Sequence, residues 1–308
     1  MEQIITLQIE ECDAGKRLDQ VIAAKCMSLS RTYIQKLIKE ENCVSVNGNF
    51  GKKTKYPVSF GDEIRICLPA PKSLEIEPQN IPLDILYEDA DLLVINKPKG
   101  LVVHPANGHY SDTLVNAVMY HCGTHLSGIN GVLRPGIVHR IDKDTTGSLV
   151  VCKNDNAHLV LSQQFRAHTI NRTYRAIVYN NFSEEEGTID KPIGRHPVER
   201  KKRKVMTETG KRAVTHYRVL DHLNHKFNYI ECRLETGRTH QIRVHMAHIG
   251  HPLLGDAVYG PDNVRFKQLQ GQTLHAETLG FVHPTSDEYM EFHAPMPEYF
   301  EKLLKTLG

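Results

Sequence analysis

Residues 136–151, GIVHRIDKDTTGSLVV, set two carboxylates, Asp142 and Asp144, among His139, Arg140 and Lys143 between two apolar runs. Ile137-Val138 on one side and Leu149-Val150-Val151 on the other have the composition of buried strand ends. Charge carried between two dry segments costs several kcal/mol unless partners are supplied. Two arrangements meet that demand: the charges neutralise one another as a structural knot, or the fold holds them in a cleft for chemistry. Asp144, followed by Thr145, Thr146 and Gly147, has the sequence of a turn or helix cap. Asp142 needs a cation to stay ionised in a dry site, and an arginine within ~4–6 Å would serve. Arg243, on a predicted helix just after a predicted strand, is the best-placed candidate by pattern.

Three more polar clusters follow. NRTYRAIVY (171–179) carries Tyr174 inside a β-branched and aromatic run. LETGRTHQIRVHMAHIGHP (234–252) holds Arg243 and several histidines. GRHPVERKKRK (194–204) concentrates Arg195, Arg200, Lys201, Lys202, Arg203 and Lys204 against Glu199 alone. Such a run is either a solvated loop or a contact for several phosphates, each adding salt-dependent affinity. His240, His245, His248 and His251 suggest a metal site, but Arg238 and Arg243 lie among them, no HExxH occurs and the cysteines lack ligand spacing; no metal is expected. The absence of GxxxxGK[ST] excludes a P-loop NTPase. A glycosidase would need two carboxylates across the scissile bond, and no second one aligns with Asp142.

These groups need a scaffold, and 308 residues suffice for two domains. The formal net charge is only +2, so the distribution of the 38 Lys and Arg carries more information than their sum. Seven cysteines without a CxxC pair suggest reduced thiols. The start, MEQIITLQIEECDAG, has no signal pattern, and no run reaches the ~18 apolar residues of a membrane span. A soluble, cytoplasmic protein is expected, with nothing to suggest more than a monomer.

Residues 14–68 read as a small module. It has two helical patterns, KRLDQVIAAK and SRTYIQKLIKEE, then a strand VSVNG with an Asn47-Gly48 turn, and GDEIRICL with Ile64, Ile66 and Leu68 inward. Ser30 is placed to cap the second helix, whose stripe is Ile34, Leu37 and Ile38, with Arg31, Lys36 and Lys39 around it. Residues 69–82, with four prolines, read as an extended linker. Beyond it, strands are predicted at 92–95, 101–103, 148–152, 173–179, 213–220, 227–235 and 274–282, and helices at 112–121, 155–166, 239–249 and 297–306. NKPKG (96–100) is a turn between apolar runs. The order predicts an α+β fold, a mixed and mainly antiparallel sheet with flanking helices.

GIVHRIDKDTTG resembles the catalytic motif of the RluA-type pseudouridine synthases, HRLDxxTSG, with Ile141 for the usual Leu and Thr146 for the usual Ser. RTYRAIVY and LETGRTHQIRVHMAHIGHPLLGDAVYG are similar to the family's second and third motifs, and the likeness runs from about residue 83 to 300. Residues 14–68 resemble the alpha-L RNA-binding module that often precedes this catalytic domain, here 83–308. PIGRHPVERKKRKV…AVTHYRV most resembles the family's ribosomal large subunit synthase D branch. The resemblance implies isomerisation of uridine to pseudouridine in RNA without metal or cofactor. It implies that Asp142 is the essential aspartate, that Tyr174 stacks on the uracil and is a candidate to remove the carbon 5 proton, and that Arg243 pairs with Asp142. Arg140 would fill the gap left by the flipped base, with His139 beside it. RNA contacts are expected from Arg195, Arg200, Lys201, Lys202, Arg203, Lys204, Arg31 and Lys36. The favoured substrate is a stem-loop of large-subunit (23S) rRNA, ahead of other rRNA sites or tRNA. A non-catalytic RNA-binding factor is the alternative, and it would have no need of Asp142.

Overall fold

The structure, a computed structural model of the chain, describes residues 3–26, 29, 31–39, 43–68, 76–105, 110–123, 125–129, 135–199, 201–262 and 264–308. The side chains of Gln3, Thr32, Lys36, Val264, Arg265 and Lys267 are outside that description. The predicted Ser30 cap, the Lys36 contact, Arg200 and the 69–75 part of the linker therefore lie outside the described residues. The chain divides into two compact units, 1–74 and 75–308.

The first unit contains β1 (Gln3–Gln8), α1 (Leu18–Lys25), α2 (Arg31–Lys39), β2 (Val44–Val46) and β3 (Glu63–Leu68). Its sheet runs β1-β3-β2, antiparallel throughout. Ile34, Leu37 and Ile38 are buried with Leu18, Val21, Ile22, Ile64 and Ile66 in one core. The i, i+3, i+4 stripe of α2 meets the alternating face of β3, so two periodicities share one interior. Asn47 and Gly48 both have positive φ, 51° and 76°, and Val46 and Asn49 exchange two backbone hydrogen bonds across them. That turn does not lead directly into the partner of β2, because β3 starts only at Glu63. Strand β1 was not expected; it is an edge strand whose Ile4 is exposed, so its alternation is weak.

The second unit begins with Ile76 already buried in its main core, and Asn116 donates to the Glu77 carbonyl. Residues 76–82 of the predicted linker are thus fastened to this unit. The elements that follow are β4 (Ile85–Glu88), β5 (Leu92–Lys97), α3 (Leu114–Cys122), β6 (Thr146–Cys152), α4 (Asp155–Ala167), β7 (Asn171–Tyr179) and β8 (Glu186–Asp190). Then come β9 (Ile193–Arg195), β10 (Arg203–Val205), β11 (Val214–Leu223), β12 (Phe227–Leu234), α5 (Gln241–His248), β13 (Leu274–Val282), β14 (Tyr289–His293) and α6 (Glu298–Leu307). One nine-stranded sheet has the order β4-β5-β6-β13-β7-β12-β11-β8, with β14 on β13.

Leu92–Ile95 of β5 and Leu149–Cys152 of β6 are unbroken apolar runs because both faces are covered there. Leu93, Ile95, Leu149 and Val151 pack with Leu114, Val115 and Val118 of α3. Leu92, Val94, Val150 and Cys152 pack with Ala157 and Leu161 of α4. The pairings are antiparallel except β6–β13, which is parallel at His275↔Thr146 and Ala276↔Gly147. Gly147 is required there: its φ is +108°, and a Cβ would collide with the Ala276 backbone.

The predicted strand 101–103 is instead a single bridge from Val102 to Thr113, with Val103 buried in the core that holds Leu114, Val115 and Val118. The basic run is a loop at 196–199 and 201–202, as read, but its ends are strand: Gly194 and Arg195 lie in β9 and Arg203 and Lys204 in β10, a two-stranded ribbon with Arg203 opposite Arg195. Its few apolar residues give too little alternation to read from sequence.

Candidate active site

Asp142 sits in the loop that enters β6, where the Thr145 N–H donates to the Asp142 carbonyl at 3.1 Å. Ile137 bridges Val151, so one end of this loop is anchored on β6. Arg243 projects from α5, whose start is locked by Gln241. The Gln241 amide accepts from Thr236 Oγ1 (2.8 Å) and Arg238 N (2.9 Å) and donates to the Val214 carbonyl at 2.9 Å.

Arg243 Nη1 donates to Asp142 Oδ2 at 2.8 Å. Its Nε and Nη2 donate to the two oxygens of Asp256 at 2.6 and 2.9 Å. Asp256 is fully buried and also accepts from the backbone N–H groups of Val258 and Tyr259. Burial alone would lower the Arg243 pKa, but Asp256 and then Asp142 more than reverse this, so the guanidinium stays charged. The side chain of Asp142 keeps 17% of its surface exposed against 7% for Arg243, so the carboxylate is the member open to a substrate.

Tyr259 lies under Arg243, with the guanidinium carbon 5.2 Å from the ring centroid. Its hydroxyl joins His240 Nδ1 at 2.8 Å and accepts from Arg203 N–H at 2.8 Å. His240 Nε2 is 3.9 Å from Asp142 Oδ1, and burial lowers the imidazole pKa. The basic ribbon is therefore tied through Tyr259 to the residues around Asp142. Arg195, Lys201 and Lys204 are exposed on it, while Lys202 pairs with Glu199 at 2.7 Å.

Asp142, Arg243 and Tyr174 line one cleft of about 460 Å³, inside the ~300–1,000 Å³ range of small-ligand pockets. Burial raises the Tyr174 pKa, opposed by Arg172 and reinforced by Asp142, which holds the side chain as a neutral phenol. Arg140 is exposed at the cleft, with Nη1 3.1 Å from His104 Nε2.

His139, expected among the RNA contacts, is half-buried at the cleft and also braces the loop. Its Nε2 accepts from Val150 N–H at 3.0 Å and its ring stacks on Phe165 at 4.7 Å. Burial, helped by Arg172, pulls its pKa down to about 3. A neutral ring whose Nε2 is taken up by β6 anchors the loop and offers no charge to phosphate. In the first unit, Arg31 reaches the buried Asp19 at 3.3 Å and remains half exposed. His245, which had raised the question of a metal, has both nitrogens engaged, by Thr215 and the Lys191 carbonyl, each at 2.9 Å.

Asp256, which clamps Arg243 from outside the cleft, and Arg172, which lines it, had no assigned role. Asp256 shows the same signal as Asp142, a carboxylate in an apolar run, LLGDAV. Arg172 lies two positions before Tyr174, on the same face of β7. It is buried, with Nη2 donating to the Glu235 carbonyl at 2.9 Å and Nε without a hydrogen-bond partner among the described residues.

The geometry has counterparts in known proteins. Residues 91–248 match the model of the RNA pseudouridylate synthase family, and residues 16–64 match the S4 domain. An uncharacterized RNA pseudouridine synthase of Bacillus subtilis, YlyB, is 50% identical across 100% of this chain and 99% of its own. A ribosomal large subunit pseudouridine synthase D of Zymomonas mobilis is 49% identical, covering 95% of this chain and 94% of its own. Among solved structures, human RNA pseudouridylate synthase domain containing 1 superposes with a TM-score of 0.57 at 28% identity, over 74% of this chain and 86% of its own. The chain belongs to the RNA pseudouridylate synthase family and is an RNA pseudouridine synthase, an isomerase with an S4 domain ahead of its catalytic region.

Proposed function

We propose that Asp142 is the catalytic carboxylate, acting on a uridine flipped out of a stem-loop in large-subunit rRNA. The observation that carries this is the Asp142–Arg243–Asp256 chain, which holds one partly open carboxylate against a permanent cation in a cleft shared with Tyr174. The reaction breaks the bond from ribose to nitrogen 1 of uracil, turns the ring and joins carbon 5 to the sugar; carbon 5 then loses its proton and nitrogen 1 ends protonated, so product and substrate are isomers. Asp142 initiates the cleavage, and Tyr174 supplies a rigid ring for the detached base to stack on. The ion pair keeps the carboxylate available; its contribution to folding stability is small.

A uracil within a stem cannot meet Asp142 until it leaves its stack, at a cost of a few kcal/mol. Phosphate contacts offset that cost without reading sequence. The basic ribbon, tied to the site through Tyr259, supplies some of them, and Arg140 at the rim fills the vacated position. Residues 14–68 act as the RNA-docking module and 83–308 as the catalytic domain. Large-subunit rRNA is favoured because relatives at 41–49% identity are named ribosomal large subunit pseudouridine synthase D. We place the enzyme in the cytoplasm as a monomer. All seven cysteines are unpaired, which suits a reducing compartment, and among the described residues no helix is long and apolar enough to cross a membrane.

The test is Asp142→Asn. It should abolish pseudouridine formation while RNA affinity stays within about tenfold, or ~1.4 kcal/mol. Undiminished turnover would refute the assignment. Mapping pseudouridines in RNA from cells with and without the gene identifies the substrate, and a map with no change in large-subunit rRNA would redirect it.

A further inference from the structure

His240 stands at the start of α5 with a positive φ of 59° and lines the same cleft as Asp142. Its ring lies between two neighbours: Nδ1 is 2.8 Å from the Tyr259 hydroxyl, and Nε2 is 3.9 Å from Asp142 Oδ1. Tyr259 determines which nitrogen carries the proton. Its hydroxyl accepts from the Arg203 N–H at 2.8 Å, and its own proton has a single acceptor among the described residues, His240 Nδ1. A phenol that donates to Nδ1 leaves the imidazole proton on Nε2. Burial lowers the pKa of the ring against the pull of Asp142, so the ring is neutral at neutral pH.

The Nε2–H therefore faces Asp142 Oδ1, the oxygen that Arg243 leaves free. At 3.9 Å the two do not bond each other, but one oxygen about 2.8 Å from each would bridge them. That oxygen must accept from the imidazole and donate to the carboxylate at once. In an internal RNA nucleotide the uracil carbonyls, the ribose ring oxygen and the phosphates only accept. Uracil N3–H only donates, and the 3′ and 5′ oxygens are esterified. The ribose 2′-hydroxyl does both. It also sits next to the carbon whose bond to nitrogen 1 breaks, so the same contact sets Asp142 against the sugar.

We propose that His240 is a specificity-determining residue which, together with Asp142, holds the ribose 2′-hydroxyl of the target uridine and so favours RNA over DNA. This rests on the reading of Asp142 as the catalytic carboxylate. In glycoside hydrolysis, hydrogen bonds to the sugar 2-hydroxyl strengthen in the transition state, so the contact acts on rate more than on binding. Tyr259 touches no substrate in this arrangement; it is a positioning residue that fixes the His240 tautomer.

The test is a cycle in single turnover. Wild type and His240→Ala each act on a saturating RNA stem-loop with uridine or 2′-deoxyuridine at the modified position. His240→Ala should slow the uridine RNA by about tenfold, through loss of one hydrogen bond. It should slow the deoxyuridine RNA by less than about twofold, because the partner is already gone. Equal slowing of both, or no slowing of either, overturns the proposal. The imidazole nitrogen shifts, measured by NMR, read the contact without turnover. Nε2 should carry the proton in the free enzyme, and its shift should move on binding the pseudouridine-containing product RNA but not the 2′-deoxy form of that product. A proton on Nδ1, or the same shift with both RNAs, overturns the proposal. If His240→Ala does not fold, Tyr259→Phe keeps a ring under Arg243 and frees Nδ1 to hold the proton. It should slow the uridine RNA by about threefold and leave the deoxyuridine RNA unchanged; wild-type turnover of the uridine RNA overturns the proposal. Asp142→Asn runs alongside. If that variant keeps turning over, the reading of Asp142 fails. If it is dead while His240→Ala slows both RNAs equally, only the role of His240 fails.

Discussion

Arg243 meets Asp142 through Nη1 alone, at 2.8 Å, because its Nε and Nη2 are already engaged by the buried Asp256 at 2.6 and 2.9 Å. The asymmetry divides the labour. Asp256 fixes the plane and charge of the guanidinium, and Asp142 receives one aimed donor while its other oxygen stays outside that clamp.

Asp256→Asn should therefore hurt both folding and catalysis. Removing one partner of a buried pair costs about 3–5 kcal/mol, and the freed guanidinium loses its aim at Asp142. Urea midpoints and single-turnover rates should fall together. Asp142→Asn, at a partly exposed position, should lose turnover with far less change in midpoint. Equal stability of Asp256→Asn and wild type would contradict the clamp.

Tyr174 separates stacking from its hydroxyl. Tyr174→Leu should weaken RNA binding by about 1–3 kcal/mol through loss of a stacking ring. Tyr174→Phe keeps the ring and should bind normally, so any loss of turnover belongs to the hydroxyl. Titration of a stem-loop RNA measures the first effect; if leucine binds as tightly as tyrosine, the base does not stack there.

Acid should destabilise the fold through histidines that the fold holds neutral. Burial lowers the pKa of His139, to about 3, and lowers those of His245 and His275, all from an unfolded value of 6.5. Below 6.5 the unfolded chain takes up protons that the folded rings refuse. Stability is therefore complete above pH 6.5 and declines as pH drops toward the folded values, by up to ~1.4 kcal/mol per pH unit for each ring. Urea midpoints at pH 7.5 and 5.5 should differ in that sense, and His139→Gln should make the decline shallower. Equal midpoints at the two pH values would show that these rings are not held neutral.

The ribbon should set the salt dependence. Neutralising Lys201, Lys202, Arg203 and Lys204 together should weaken RNA binding and reduce the slope of log K against log salt by ~0.7–0.9 for each phosphate left without its cation. Lys202 already pairs with Glu199 and should contribute least. The Arg203 link to Tyr259 runs through the backbone and survives side-chain replacement. An unchanged slope would show that the ribbon does not meet phosphate.

Local pattern determined a good part of this protein. Apolar runs located β5 and β6, the 3.6-residue stripe located α2, and a carboxylate with dry flanks singled out Asp142. Each depends on near neighbours in the chain, where spacing translates directly into a face or a burial. Even so, His139 shares its segment with Asp142 and turned to the sheet, because Val150 N–H and Phe165 met it there.

What the tertiary structure alone decided is which charged group meets which. Arg243 and Asp142 are 101 positions apart, and pattern suggested the pair without establishing contact. Nothing local indicated that Asp256 would clamp the guanidinium, that Arg172 would lie buried in the cleft, or that Lys97 would reach the Lys143 carbonyl 46 positions away. Periodicity specifies a side chain's face, whereas the partner of a buried charge depends on the segments that close over it, and these converge only when the sheet is assembled.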